Sequence, residues 1–140
     1  MADCSFFAPY PQGMGWYHAR QILDGEVPSA RLTDIVEPWF MGPGSTSPGG
    51  EDFSSFVRET TSSGKGVRFL TKVADMPEVS PGTSKLALLA GRTADNPRLL
   101  REAVAAGCTA VYLEKPGAPT VAELEDMSTF AKDNGVRVFM

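Results

Sequence analysis

The sequence is poor in the residues that build metal sites and disulfide frameworks. It contains one histidine, His18, and two cysteines, Cys4 and Cys108, which lie far apart in apolar surroundings. A zinc site needs about four such ligands at closer spacing, and a disulfide framework needs more cysteines. We therefore predict no bound metal and two reduced, buried thiols, as is usual in cytoplasmic proteins.

Charge of one sign and long apolar runs are also lacking. The net charge is −4 over 140 residues, without a basic stripe, so neither nucleic acid nor an anionic membrane is an expected partner. No apolar run approaches the roughly 20 residues of a membrane-spanning helix, and the first residues do not resemble a secretory signal. With 42% hydrophobic residues, we expect residues 1–140 to form a single cytoplasmic domain.

Two apolar patterns alternate along the chain. Short apolar runs predict six strands, at residues 4–8, 32–36, 67–70, 86–90, 110–113 and 136–139. Helical periodicity and capping residues predict helices over 14–24, 51–61, 96–107 and 120–134, and glycine, serine and proline predict an irregular loop over 41–50. This alternation predicts an α/β fold, a doubly wound parallel sheet with helices on both faces and the strand order 3-2-1-4-5-6.

Helix-terminal residues support two of these helices, whereas one strand residue does not fit. Thr120 and Glu123 form a capping box, and Asn96 precedes Pro97 as a predicted side-chain cap. Asp34 lies inside the second predicted strand, where an unpaired buried carboxylate would cost several kcal/mol. It must find a partner or face solvent, unless the predicted register is wrong.

Parallel sheets bind ligands at the carboxyl ends of their strands, which here selects residues 9–15, 37–39, 91–96 and 114–116. Gly13 and Gly15 flank Met14 just before the first helix, where backbone N–H groups can approach a pyrophosphate. Only two glycines are present, so a plain tight turn explains this segment about equally well.

The residues after the second strand suggest an adenosine site. The Glu37 carboxylate could accept both ribose hydroxyls and would repel a 2′-phosphate, which favours NAD over NADP. The alternative is a solvated charge at a strand end. Trp39 could cover an adenine, or it could be an exposed or loop-packing side chain. After the fifth strand, Lys115 could orient a carbonyl, a hydroxyl or a carboxamide, or form an ion pair with a neighbouring charge.

Three segments in order resemble one family. They are the helix from Asn96 to Gly107, the Glu114-Lys115-Pro116 motif after a strand, and the final helix and strand. Together with the glycines of the first loop, they resemble the N-terminal Rossmann domain of the glucose–fructose oxidoreductase, inositol dehydrogenase and MocA family.

That resemblance implies a function and a set of site residues. In the family, NAD(P) lies across the crevice and accepts a hydride from a sugar or polyol hydroxyl. Lys115 would face the substrate and nicotinamide, with a Lys115–Pro116 bond that is often cis, and would be catalytic only with a second domain or chain. The cofactor-binding residues would be Gly13, Met14, Gly15, Glu37, Gly91, Arg92, Glu114 and Pro116.

The sequence also departs from the family pattern. Tyr10 and Gln12 stand where the first two loop glycines would be, and Gly91-Arg92 replaces a Thr-Pro dipeptide. Relatives continue into a second domain that binds substrate, whereas this sequence stops at Met140. We expect the strand edge or face that this domain would cover to be exposed, and to be available to a second copy or a companion chain.

Three hypotheses follow from this sequence. The chain is a dinucleotide-binding or other nucleotide-binding domain without turnover, an oxidoreductase completed by a partner chain, or a cofactor-free scaffold that acts in oligomerisation or partner binding. Lys115 alone cannot position a substrate and exclude water, which argues against independent catalysis.

Overall fold

The computed structural model describes residues 2–7 and 13–140 of the chain. All strands of this part are parallel and form one sheet in the order β3-β2-β1-β4-β5-β6, as predicted. The strands are β1 (Ala2–Phe7), β2 (Ala30–Val36), β3 (Arg68–Leu70), β4 (Lys85–Leu89), β5 (Ala110–Leu113) and β6 (Arg137–Phe139). The helices are α1 (Met14–Leu23), α2 (Pro48–Ser62), α3 (Asn96–Ala105) and α4 (Val121–Asp133).

The predicted boundary between the glycine-rich loop and α2 is wrong by three residues. The loop was expected to extend to residue 50, but α2 begins at Pro48, with Ser47 in the N-cap position. Proline suits the first helical position because its missing N–H and fixed φ cost nothing there. Gly50 is required by a close approach, since an added Cβ would lie 2.1 Å from the Ser45 carbonyl oxygen. The glycine is therefore a packing residue rather than a helix breaker.

The other elements begin and end within two residues of their predicted positions, and β5 matches at both ends; residue 8 of the first predicted strand lies outside the described residues. The Thr120 cap is confirmed, because its hydroxyl oxygen accepts a hydrogen bond from the Glu123 N–H at 3.2 Å. The Asn96 cap is wrong: α3 includes Asn96, whose side chain instead donates to the Gly117 carbonyl oxygen at 3.0 Å. That bond links α3 to the residues after β5.

Apolar side chains cover both faces of the sheet. On one face, α1 and α2 enclose an aromatic cluster in which Phe53 stacks on Phe40 and meets Phe69 edge-on. On the other face, α3 and α4 pack over β4 and β5 through residues such as Leu100 and Val111. The connection from β3 to β4 holds a single 3-10 turn, Val73–Asp75, instead of a helix. The second face is therefore less covered beside β2 and β3.

A β-bulge in β2 decides which face Asp34 occupies. Cys4 pairs with Leu32 and Ser5 with Asp34, so Thr33 is an extra residue between the two pairs. An extra residue reverses the alternation of side chains along a strand. Leu32 accordingly lies in the α1–α2 cluster. From Asp34 onward, each side chain lies on the face opposite to the one that uninterrupted alternation would give it.

The Asp34 carboxylate is fully buried and bonded to residues of four strands. It accepts hydrogen bonds from Ser5 at 3.0 Å, Thr33 at 2.8 Å, Arg68 at 2.7 Å and Lys85 at 2.5 Å. Burial alone would raise the pKa of Asp34, but the bonds from Lys85 and Thr33 and the charges of Lys85 and Arg68 outweigh it and lower that pKa. Of the alternatives left open by the sequence, Asp34 has found partners.

Replacing Lys85 by methionine should be strongly destabilising. The change leaves the buried Asp34 carboxylate without its closest cation, and breaking a buried ion pair typically costs about 3 kcal/mol or more. Urea denaturation at pH 7 measures the decrease in the free energy of unfolding. The matched control is Arg31→Met, which removes an ion pair to Asp3 from a side chain that is 60% exposed, and should cost less than about 1 kcal/mol. Equal decreases in the free energy of unfolding of the two variants would contradict the stabilising role of the buried Lys85–Asp34 pair.

Acid should remove the contribution of Asp34. Because its pKa in the fold lies below the unfolded value of 3.8, ionised Asp34 stabilises the fold above about pH 4. That contribution is lost as the pH falls through the folded-state pKa. We therefore expect the stability difference between the native chain and Asp34→Asn to shrink below pH 3.8 in thermal unfolding. A difference that stayed constant with pH would oppose this account.

Candidate functional site

A cleft of about 1190 Å³ lies between α3 and the segments that follow β2, β3 and β4. This volume exceeds the range of about 300–1,000 Å³ typical of small-molecule sites. The cleft is open because the β3–β4 connection has no helix to fill this space. Its lining consists of residues 36–39, 71–74, 76, 78, 79, 91, 92, 95, 98, 99, 102 and 105–107.

Glu37 lines the cleft directly after β2 and is almost completely buried. Its backbone N–H donates to the Leu70 carbonyl oxygen at 2.9 Å, which ties it to β3. Its Oε1 accepts hydrogen bonds from the N–H groups of Trp39 at 2.8 Å and Phe40 at 3.2 Å. Burial raises the pKa of Glu37, and these two bonds oppose the rise. Glu37 is only 2% exposed, so the alternative of a solvated charge is wrong.

Trp39 offers an aromatic surface to the cleft. The side chain is 55% exposed and lies against Gly44 of the glycine-rich loop. A Cβ at Gly44 would lie 2.1 Å from the indole Nε1, so only glycine permits this packing. Trp39 is thus both a loop-packing and an exposed residue, and its position is fixed by the Glu37 turn on one side and Gly44 on the other.

Charged side chains of both signs line the cleft. Arg98 is neutralised by hydrogen-bonded ion pairs with Glu102 at 2.7 Å and Asp95 at 3.2 Å. Lys72 and Arg92 form no ion pair with any other described residue. Lys72 was missed by the sequence analysis. It follows β3 by two residues, so including the end of that strand would have found it.

The structure brings together only some of the predicted site residues. Glu37, Gly91 and Arg92 all line the cleft. Gly13 is the N-cap of α1, and its carbonyl oxygen accepts hydrogen bonds from the next turn of the helix. Met14 is exposed and Gly15 is buried within α1. Residues 10 and 12, which replace the family's glycines, lie outside the described residues.

The motif after β5 lies outside the cleft lining. The Lys115–Pro116 peptide bond is cis, as the resemblance implied, and both side chains are exposed. Glu114 does not pair with its neighbour Lys115, because its Oε1 lies 2.9 Å from Nε2 of His18 in α1. This pair joins residues 96 positions apart in the chain, a contact that no local pattern could have indicated.

The described part of the chain offers neither a cluster of metal ligands nor a membrane-spanning helix. No group of three or more histidine, cysteine, aspartate or glutamate side chains there could hold a metal ion. Within the same part of the chain, no helix is both long and apolar enough to cross a membrane.

A match to a known protein family shows which family the chain belongs to. Residues 47–140 match the GFO, IDH and MocA oxidoreductase family with the NAD-binding Rossmann fold, which is more than half of the chain. The chain belongs to this family. The resemblance in sequence is thereby confirmed, and the chain is a Rossmann NAD-binding domain of the GFO, IDH and MocA oxidoreductases. No curated protein matches the chain significantly.

Solved structures share the fold at low sequence identity. The WlbA dehydrogenase from Chromobacterium violaceum, solved with NADH and UDP-GlcNAcA, is 17% identical with a TM-score of 0.66 over 99% of this chain. Biliverdin reductase from Synechocystis sp. PCC 6803, solved with biliverdin and NADP+, is 16% identical with a TM-score of 0.66 over 98% of this chain. These matches cover 34% and 36% of the two relatives, so the chain spans about a third of their length.

Replacing Gly44 by alanine should displace the Trp39 indole. The new methyl group would overlap the ring, so the indole must leave the loop and become more exposed. We expect a red shift of tryptophan emission, measured beside Thr46→Ala, which changes an exposed residue of the same loop. An unchanged emission spectrum in Gly44→Ala would show that the ring does not depend on this contact.

Proposed function

We propose that this chain binds NAD across the carboxyl ends of its strands, with the adenosine half in the cleft. The observation that carries the proposal is the arrangement of Glu37 and Trp39, a buried carboxylate next to an exposed indole at the end of β2. In a Rossmann fold an acidic residue at this position accepts hydrogen bonds from the adenosine ribose. The cleft is also large enough for this half of the cofactor.

The charge of Glu37 favours NAD over NADP. A carboxylate can accept hydrogen bonds from ribose hydroxyls, whereas it would repel the 2′-phosphate of NADP. Since Oε1 already accepts two backbone hydrogen bonds, the ribose would be served by Oε2. Lys72 and Arg92, which form no ion pair with another described residue, line the same cleft and would oppose this preference by attracting a 2′-phosphate.

The remaining predicted site residues fit the other parts of the cofactor. Gly13, Met14 and Gly15 begin α1, whose first turn contains no acidic residue, so no carboxylate of that turn would repel a pyrophosphate at its positive end. Gly91 and Arg92 would contact the same region after β4. Glu114 and Pro116 flank Lys115, which we assign to the nicotinamide and substrate.

The reaction class that we propose is oxidation of a sugar or polyol hydroxyl. The bound cofactor would supply the hydride acceptor, and Lys115 would orient the reacting oxygen. Catalysis would also need a second wall that holds the substrate and excludes water. We propose that a substrate domain or a companion chain provides that wall, in a cytoplasmic protein whose two cysteines stay free.

A second candidate is a cofactor-free scaffold that acts in oligomerisation or partner binding. The observation that favours it is β6, an edge strand whose three residues are all exposed. Val138, Phe139 and the following Met140 are exposed apolar side chains of the kind that protein contacts cover. In this case residues 1–140 would be a single domain that keeps the fold and has lost the ligand.

Isothermal titration with NAD and, separately, NADP distinguishes the two candidates. We expect saturable NAD binding that is tighter than NADP binding. Glu37→Gln keeps the hydrogen-bond acceptor for the Trp39 turn but removes the charge, so it should narrow the NAD-to-NADP affinity ratio by about tenfold.

The matched control for that titration is Glu125→Gln, which changes an exposed glutamate of α4 and should leave both affinities unchanged. If neither cofactor gives heat at millimolar concentration, the dinucleotide proposal is wrong and the scaffold is favoured. If both bind but Glu37→Gln leaves their ratio unchanged, the role of Glu37 in selecting NAD is wrong.

A further inference from the structure

Residues 114–117, which carry Lys115, are held from both ends by side chains of two helices. At one end, Nε2 of His18 in α1 lies 2.9 Å from Oε1 of Glu114. At the other end, Nδ2 of Asn96 in α3 donates to the Gly117 carbonyl oxygen at 3.0 Å. We call residues 114–117 the lysine turn. Its two ends are therefore attached to parts of the chain that are remote in sequence.

The His18 contact is shielded and directional. Because a carboxylate only accepts hydrogen bonds, His18 donates through Nε2. The two side chains are only 23% and 17% exposed, so water competes weakly for the bond. The Tyr112 ring lies edge-on to the imidazole, with centroids 5.5 Å apart, which fixes the orientation of His18. Burial, then the Glu114 charge and a hydrogen bond to Glu114, raise the pKa of Tyr112, so Tyr112 contacts both members of the pair.

The Asn96 contact is more deeply buried. Asn96 is almost completely inaccessible to solvent, and a side-chain amide held in this way has few alternative positions. Gly117 is also closely packed, because a Cβ added at this position would lie only 2.9 Å from Cδ2 of Leu113. The end of the lysine turn is thus fixed against β5 as well as against α3.

We propose that His18 and Asn96 are positioning residues that hold Lys115 in place. Lys115 lies between the two contacts, is exposed, and forms no ion pair within the described residues. Each holding side chain belongs to a helix that follows a predicted cofactor loop, at Gly13 and at Gly91-Arg92. A displacement of either helix is therefore transmitted to Lys115. The effect of His18 and Asn96 on Lys115 function rests on the proposed NAD binding. Their role in holding the lysine turn in place does not.

Amide hydrogen exchange in the protein without cofactor tests whether His18 and Asn96 hold the lysine turn in place. His18→Ala and Asn96→Ala should each accelerate exchange of the Glu114 amide, which donates to the Leu89 carbonyl oxygen at 3.0 Å, by about five- to tenfold, the effect of losing one shielded hydrogen bond. His18→Gln should restore slow exchange, because its Nε2 can reach Glu114 in the same way. The control Gln21→Ala changes an exposed residue of α1 and should have no effect. Unchanged exchange in His18→Ala would overturn the proposal.

A double-mutant cycle tests whether His18 acts through Lys115. His18→Ala and Lys115→Met should each weaken NAD binding, and the double variant should bind no more weakly than Lys115→Met alone. Additive losses would mean that His18 does not act through Lys115. If the native chain does not bind NAD, the proposed function fails, whereas the exchange measurement still decides whether the two side chains hold the turn.

Discussion

One buried carboxylate holds four strands of this sheet together. Asp34 in β2 is bonded to β1 through Ser5, to β3 through Arg68 and to β4 through Lys85. A buried charge is tolerated only when it is paired, so removal of one close partner such as Lys85 is expected to be costly. They restrict the register of the strands, and with it the positions at which the strands end and the functional residues begin.

The position of the cleft depends on that sheet and on the absence of a helix between β3 and β4. Because the β3–β4 connection is a single 3-10 turn, the face beside β2 and β3 stays open and the cleft forms there. Glu37 and Trp39 reach it from the end of β2, and Arg92 reaches it after β4. The lysine turn lies apart, after β5, and is connected to α1 and α3 by His18 and Asn96. In the proposed function, cofactor binding and the reaction would thus depend on residues at different strand ends.

The strand order and family membership were predictable because they depend on local patterns, such as apolar runs, helix caps and the Glu114-Lys115-Pro116 motif. The bulge at Thr33 was not, because it accompanies the burial of Asp34, whose partners come from three other strands and are remote in sequence. The start of α2 was missed because the glycines and prolines of residues 41–50 were interpreted as breaking a helix, although Pro48 begins α2 and close packing requires Gly50. The His18–Glu114 pair joins distant residues, and only the folded chain brings them together.

The most direct test of the account is a map of amide chemical shifts in the 15N-labelled chain during NAD titration. We predict saturable shifts at Glu37, Trp39 and Gly91 on the carboxyl edge of the sheet, with little change at Arg68 and Lys85 at the start of their strands. No shift, or shifts confined to β6, would contradict a dinucleotide site at the carboxyl edge.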